Sequence, residues 1–397
     1  MKEFKSLLSY NKALELVKAH SKVFDSEIIA LNDSLDRIIS EDIYSPFDSP
    51  GFDRSAMDGY AIQAKDTFSI SEGSHVTLEI IDSITAGKVS HKVVAAGTAI
   101  EIMTGAMIPK GADSVVMQEF TDREKDKVHI YKKVFPYLHV SRKGEDIRKG
   151  DLILKKGTII GPEHLSLLKS LGIEKIVVKK LPRISIIVTG DELVEDANEV
   201  ESGKIIDSNS IMLSSLSIRA FCKVVHKFRV PDDQEEILKV INISKKDSDI
   251  ILITGGSSFG KKDYLPKIIE NIVFHGVTIK PGKPIGFSIQ GIPIFIMSGY
   301  PVASFVQFYL FVVPYLENIL KTKILKSVDL TFSENYSSEL GRVEFVRCIL
   351  KDSEIYPVRL SGSGVISSIS SSTGYALINE NTEGVNKGEK CRFYYYL

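Results

Sequence analysis

Residues 251–264 read ILITGGSSFGKKDY, an apolar run that passes directly into a glycine pair, two serines, another glycine and then charge. A run this short, closed by glycines, predicts a buried strand that ends in a turn. The same texture recurs on either side. RISIIVTG (183–190), KVVHKFRV (223–230) and GIPIFIMSG (291–299) read as strands. SIMLSSLSIRAF (210–221), DDQEEILKVINISKK (232–246), residues 265–272 and PVASFVQFYLFVVPYLENIL (301–320) read as helices. Near-continuous apolar strands alternating with helices predict a doubly wound, mostly parallel sheet covered on both faces, over residues 183–322.

The rest of the chain has other rhythms. Residues 5–45 show helical periodicity, with Ser9 ahead of a stripe at Ala13, Leu14, Leu16 and Val17, and predict a helical opening. HVTLEIIDSI, HKVVAAG, TAIEIM, SVVMQE and VHIYKKV predict the short strands of a small β domain, residues 48–141. A basic, glycine-punctuated connector follows, then a helix in EHLSLLKSLG and a strand in KIVVKK, so 1–47 with 142–182 read as a linker domain. Residues 323–397, with VDLTFS, EFVRCILK, SEIYPVRL, GYALIN and KCRFYYYL, predict a separate small β domain. Ser361–Ser372 is serine-rich enough to predict a mobile loop.

At 397 residues the length suggests about two to four domains. Fifty basic against fifty-one acidic side chains give a net charge of −1, and no stretch is dominated by lysine and arginine, which argues against nucleic acid as the main partner. Three cysteines, Cys222, Cys348 and Cys391, lie far apart and indicate neither a disulfide framework nor a zinc site, as expected in a reducing cytoplasm. The N-terminus is charged throughout and reads as no signal peptide. The most apolar segment, from Ile292, is broken by Ser-Gly-Tyr-Pro and contains Gln307, so a buried strand plus helix is expected in place of a membrane span.

Ligands of doubly wound sheets sit outside the carboxyl ends of the strands. Those ends deliver Asp191 and Glu192, then Asp232 and Asp233, then Ser257, Ser258 and Asp263, then Ser298 and Tyr300. Gly255–Gly260 is either a tight turn or a cradle whose N–H groups hold phosphate, with Gly255, Gly256, Ser257 and Ser258 as its contacts. Carboxylates beside phosphate call for a bridging cation, and Mg²⁺ on Glu192, Asp232 and Asp263 fits. Gly255-x-x-x-x-Gly260-Lys261 fails as a P-loop, because Lys262 stands where Ser or Thr must ligate the metal. KPGKP (280–284) presents Lys280 and Lys283 on a loop stiffened by two prolines, either as an anion site or as a solvated turn. Asp58, in PGFDRSAMDGYA, is either an Asx-turn residue or a carboxylate presented from a loop. RKGEDI adds Asp146 and IMTGA adds Thr104, while the eight histidines show no ligand spacing.

PGFDRSAMDGYA, IMTGA, RKGEDI, VTGDEL, GKIIDSN, TGGSSFGKKDY, KPGKP and GRVEF, in that order from residue 50 to 345, resemble the molybdopterin molybdenumtransferases, a family that includes the E domain of gephyrin. The resemblance implies a multidomain chain with a molybdopterin-binding-like α/β domain, an elongated linker domain, a β lid and a C-terminal β barrel. It implies a homodimer with shared active sites, Asp58 coming from one subunit and Glu192 and Asp263 from the other. The implied reaction is delivery of molybdate to adenylylated molybdopterin with release of AMP, dependent on Mg²⁺, with the adenylyltransferase of the same pathway as a partner. Carried over by position, Asp58, Thr104, Asp146, Glu192, Asp232 and Asp263 are catalytic candidates. Lys280, Lys283, Ser298, Pro301, Arg342 and Ser363 are candidates for substrate binding. The chain departs from the family at Met297–Ala303, where Leu-Pro-Gly-Asn-Pro-Val-Ser is usual, and lacks a glutamine near Ser363. Those departures leave open a paralogue that binds pterin nucleotide without full turnover, or one altered toward tungstate.

Overall fold

The apolar residues of the opening stretch are shared between the two faces of one sheet. In the computed structural model, which describes residues 7–200, 203–255, 265–359 and 364–397, strand Ile250–Thr254 lies between Arg183–Thr189 and Ile292–Met297. Ile250 and Leu252 face one core with Ile184, Ile186, Val188, Phe295 and Met297. Ile251 and Ile253 face the other with Ile187, Ile294 and Ile296. Alternation over two buried faces is what a period of two imposes on a strand covered on both sides. Helices Asn209–Arg219 and Pro301–Gln307 supply Leu213, Leu216, Phe305 and Val306 to the first core, and Gln234–Asp247 supplies Ile237, Val240 and Ile241 to the second. Each such buried side chain contributes about 1.5–3 kcal/mol relative to exposure.

The sheet runs Lys223–Val230, Arg183–Thr189, Ile250–Thr254, Ile292–Met297, Gly286–Gln290, Ile272–His275. The first four strands are parallel, and the last two are joined on by antiparallel pairings, only Gly286–Gln290 running against the rest, so it is mostly parallel as expected. The helix expected over 265–272 stops at Ile268, and Ile272–His275 turns into an edge strand. Gly286–Gln290 was not anticipated either. It forms a hairpin with Ile292–Met297 through Gly291, whose φ of 83° suits glycine.

The apolar segment 301–320 is a single helical rod with a π turn at Phe308–Val312, just before Pro314. Proline removes an i→i−4 bond and crowds the preceding turn, which the wider turn relieves. Of its apolar window 83% is buried, as in a core helix.

The chain forms two compact units. The first comprises the chain up to Ser40, Gly157–Gly161 and Lys175–Leu397, and the second Glu41–Lys156 and Pro162–Glu174. In the first, the expected helical opening is helix Tyr10–Ala19, capped by Ser9, with one 3₁₀ turn at Leu31–Asp33 beyond it. Strand Ser26–Ala30 then pairs antiparallel with Lys175–Lys179, a long-range ladder that overrides local helical periodicity. The C-terminal strands Val343–Lys351, Glu354–Pro357, Ser327–Phe332, Lys390–Tyr395 and Gly374–Ile378 close into a small barrel, because the last also pairs with the first. Strand Ile279–Lys280 is added parallel to Val343–Lys351, joining the KPGKP loop to the barrel. Within the serine-rich stretch Ser367–Ser370 is a short helix, not a loop, with Ser368 buried.

The second unit holds a six-stranded sheet, Ser114–Met117, Gly59–Ile62, Thr98–Ile102, Val76–Ile84, Lys127–Ile130, Thr121–Glu124. Tyr60, Ile62, Leu78, Val116 and Val128 pack on one face, and Ala61, Ile84, Ile100, Ile102 and Val115 on the other. HKVVAAG, read as a strand, is an irregular segment whose Val94 packs into the second cluster while its N–H bonds the Lys110 carbonyl.

Candidate functional site

At the carboxyl edge of the α/β sheet three strand ends approach backbone to backbone. Gly255 has φ 108°, and a Cβ there would lie 2.2 Å from the Thr189 carbonyl oxygen, so this position accepts only glycine. A Cβ on Gly299 would lie 3.4 Å from the Cα of Gly255. On the same edge the N–H of Asp232 donates to Oδ1 of Asp191 at 3.1 Å, and Lys204 Nζ donates to the Asp191 carbonyl at 2.7 Å. Glu192 is exposed and folds back toward Gly190, where a Cβ would meet both carboxylate oxygens at 2.9 Å. Asp233 instead caps helix Gln234–Asp247, accepting from the N–H groups of Glu235 and Glu236. The buried hydroxyls of Thr189 and Thr254 have no hydrogen-bond partner among the described residues. Gly256, Ser257, Ser258, Asp263 and Ser363 lie outside the described residues. Among the described residues no three His, Cys, Asp or Glu side chains converge as a metal-ligand group.

Lys280, Lys283, Ser298 and Arg342 all line one cavity of about 700 Å³, between the KPGKP loop, the Ser298–Ala303 turn and the barrel. Pro301 is not among its lining residues and starts the long helix at the first position, where its missing N–H costs no bond. Two buried amides fix the cavity wall. Gln307, fully buried, accepts the Ser298 N–H on Oε1 at 2.8 Å and donates from Nε2 to the Gly282 carbonyl at 2.7 Å. Asn209, from GKIIDSN, donates to the Gly299 carbonyl at 2.8 Å and is itself met by Ser304 Oγ at 3.2 Å. Tyr300 stands 60% exposed on the wall.

The cations of the cavity are organised by carboxylates that the sequence reading missed. Glu344, only 5% exposed, accepts from Tyr336 Oη at 2.9 Å and Ser338 Oγ at 2.7 Å and lies 3.3 Å from Lys280 Nζ. Burial, reinforced by Glu344, pushes the Tyr336 hydroxyl well above its ordinary range, so it stays a neutral donor. Arg347, also on the wall, donates to Ser368 Oγ at 2.8 Å, and burial pulls its guanidinium below the usual arginine range. Charged residues inside the apolar strand RVEFVRC were the available signal, since a buried charge requires partners. Gln307 was visible too, as the polar break in an apolar helix.

In the second unit Asp58 and Thr104 come together in a cavity of about 400 Å³ with Met57, Met117, Gln118 and Glu119. Asp58 Oδ1 accepts both the N–H and the hydroxyl of Thr104 at 2.7 Å. The Asx-turn alternative is thereby replaced by a bond between loops 46 residues apart in sequence. The Thr104 hydroxyl, and then its N–H, hold the Asp58 carboxyl below the ordinary range, so it is ionised at neutral pH. Asp146 is exposed, and its N–H bonds the Ser49 carbonyl.

A molybdopterin biosynthesis protein of Methanocaldococcus jannaschii is 43% identical over 96% of this chain and 94% of its own length. The chain belongs to the MoeA family. Models of the family's parts match in order, the MoeA N-terminal region (domain I and II) over 8–172, the "Probable molybdopterin binding domain" over 185–318 and the MoeA C-terminal region (domain IV) over 329–396. The molybdopterin molybdenumtransferase of Bacillus subtilis is 32% identical over 98% of this chain and 94% of that one. The crystal structure of the MoeA protein of Pyrococcus horikoshii superposes with a TM-score of 0.89 at 38% identity, covering 98% of this chain and 100% of that one. As a MoeA-family fold, the chain has its molybdopterin-binding match on the α/β sheet and its domain IV match on the barrel that carries Arg342 and Glu344.

Proposed function

We propose that this chain is a molybdopterin molybdenumtransferase that places molybdate on adenylylated molybdopterin and releases AMP. The observation that carries the proposal is the convergence of Lys280, Lys283 and Arg342 with Ser298 on one cavity. Ammonium groups and a guanidinium held on a stiff loop and a strand suit a tetrahedral dianion, since little ordering is left to be done on binding. The carboxyl edge of the sheet suits the pterin nucleotide, with Gly255 and the Gly256–Ser258 segment as phosphate contacts.

Magnesium takes phosphate oxygens together with one or two carboxylates. The edge fits that preference, because Asp191 and Asp232 are tied together there, Glu192 stands beside them, and two buried hydroxyls lack partners among the described residues. Glu192, Asp232 and Asp263 would hold the ion, whose chemistry is to neutralise charge at the phosphates. Asp58, kept ionised by Thr104, serves as a carboxylate acceptor toward the substrate, and Asp146 joins it from RKGEDI. The proposal includes a cytoplasmic homodimer whose sites combine Asp58 of one subunit with Glu192 and Asp263 of the other. It also includes the four-part division at 1–47 with 142–182, 48–141, 183–322 and 323–397, and docking of the adenylyltransferase that makes the substrate.

Incubating the purified chain with adenylylated molybdopterin and molybdate and quantifying AMP tests this reading. Molybdate-dependent AMP release that stops on chelation of Mg²⁺ is the expected result, and release indifferent to molybdate would refute it. The exposed Tyr300 ring, where the family usually has asparagine, favours a second reading in which oxyanion choice is altered toward tungstate. Ser298→Pro with Tyr300→Asn would then shift the ratio of tungstate to molybdate turnover.

A further inference from the structure

Two of the cavity's cations are already occupied by a residue of the chain itself. Glu339 places Oε1 3.6 Å from Lys280 Nζ and Oε2 2.5 Å from Arg342 Nη2, bridging the two. Its side chain is 59% exposed, unlike the enclosed Glu344. The segment that carries it is fixed at both ends. The Ser338 N–H bonds the Glu383 carbonyl at 2.8 Å and the Ser338 hydroxyl bonds Glu344, while the Gly341 N–H bonds the Glu380 carbonyl at 2.7 Å. Gly341, at φ 84°, turns the chain between Glu339 and Arg342.

We propose that Glu339 is a tethered competitor for the oxyanion site and a specificity-determining residue, its carboxylate covering Lys280 and Arg342 until a doubly charged tetrahedral oxyanion displaces it. The inference rests on the reading of this cavity as the oxyanion site. Glu344 cannot play this part, because Tyr336 and Ser338 hold it and its removal would strip them of their acceptor. Among the described residues Glu339 pairs with these two exposed cations, so it can swing into solvent at the cost of exposed ion pairs.

The consequence is selectivity by charge. A tether raises the local concentration of the competing carboxylate far above that of any free monoanion. Chloride or nitrate, with a single charge to share between the two cations, gains too little to displace it. A dianion such as molybdate, tungstate or sulfate meets both cations at once and does displace it.

Titration calorimetry at low ionic strength, with the full chain and molybdate as the probe, tests this with Glu339→Gln, Arg342→Ala and the double variant. Exposed pairs of this kind are worth little individually, so Glu339→Gln should bind molybdate about two- to five-fold more tightly. Nitrate should become a markedly better competitor against molybdate in the same variant. The gain should vanish when Arg342 is also Ala. Unchanged or weaker molybdate binding by Glu339→Gln, in a background where Arg342→Ala does weaken it, would overturn the competitor role and leave the oxyanion site standing. Molybdate affinity indifferent to Lys280→Ala and Arg342→Ala alike would instead remove the oxyanion site, and the role of Glu339 with it.

Discussion

Replacing Gln307 with leucine should loosen both walls of the cavity at Lys280 and Arg342 while leaving the core it sits in filled. The side chain is fully buried in the helix that begins at Pro301, and leucine has a similar volume. What is lost is the pair of bonds to the Ser298 N–H and the Gly282 carbonyl, at 2.8 and 2.7 Å. A buried backbone group left without its partner costs about 1–3 kcal/mol, so the two together should cost about 2–6 kcal/mol. Because each ~1.4 kcal/mol is tenfold, opening of the two loops should become about 30- to 20,000-fold more frequent. Hydrogen exchange read by mass spectrometry, over peptides covering 280–284 and 298–300, measures this directly. The chain has no tryptophan, so exchange is also more informative here than intrinsic fluorescence. Faster exchange confined to those two peptides, together with weaker molybdate binding, is the expected result. Parental exchange and affinity would refute the clamp, and acceleration spread over the whole helix would show that Gln307 serves packing instead.

Thr104→Val should return the Asp58 carboxyl toward the ordinary carboxylate range. A carboxyl lowered in the folded state contributes stability that is present above its unfolded value and lost as pH falls through the folded one, so the acid loss from this group should be smaller in the variant and complete at higher pH. A carbon-detected titration of Asp58 checks it. Glu344→Ala should lower stability by about 2–4 kcal/mol, because Tyr336 Oη and Ser338 Oγ lose a charged acceptor, and should bring the Tyr336 hydroxyl down toward its normal range. Denaturation followed by circular dichroism and a spectrophotometric tyrosine titration would register both effects. If the proposed shared-site homodimer holds, Asp58→Asn and Glu192→Gln, each inactive alone, should recover about a quarter of parental activity after random subunit exchange, since half the dimers are hybrids and each hybrid has one intact site. No recovery after proven exchange would mean that one chain supplies both residues.

The α/β sheet was legible because its strands alternate over two buried faces, a signal carried by each strand alone. Ile250–Thr254 and Arg183–Thr189 show it most plainly. Ser26–Ala30 was not legible, because its partner Lys175–Lys179 lies about 150 residues away and only that ladder makes it a strand. Gly286–Gln290 was hidden for a related reason, since its hairpin follows from one left-handed glycine in a sequence that otherwise reads as a single apolar run. At the site, Lys280, Lys283 and Arg342 could be named from their motifs, and the structure brings them onto one cavity. Glu339, Glu344, Tyr336 and Arg347 could not be assigned to that cavity from spacing. Tyr336, Glu344 and Arg347 line it with Lys280, and Glu339 pairs with Lys280, because strand Ile279–Lys280 joins the barrel beside Val343–Lys351.

In the proposed function the oxyanion lies between Lys280, Lys283 and Arg342, and tungstate can report that position by its own scattering. Crystals of the full chain soaked in tungstate should be measured at the tungsten absorption edge. The expected result is an anomalous peak within bonding reach of all three cations, with Glu339 turned away from Arg342. A peak at another site, such as the cavity of about 1050 Å³ lined by Lys180, Arg183 and Lys223, with nothing at Lys280 and Arg342, would contradict it.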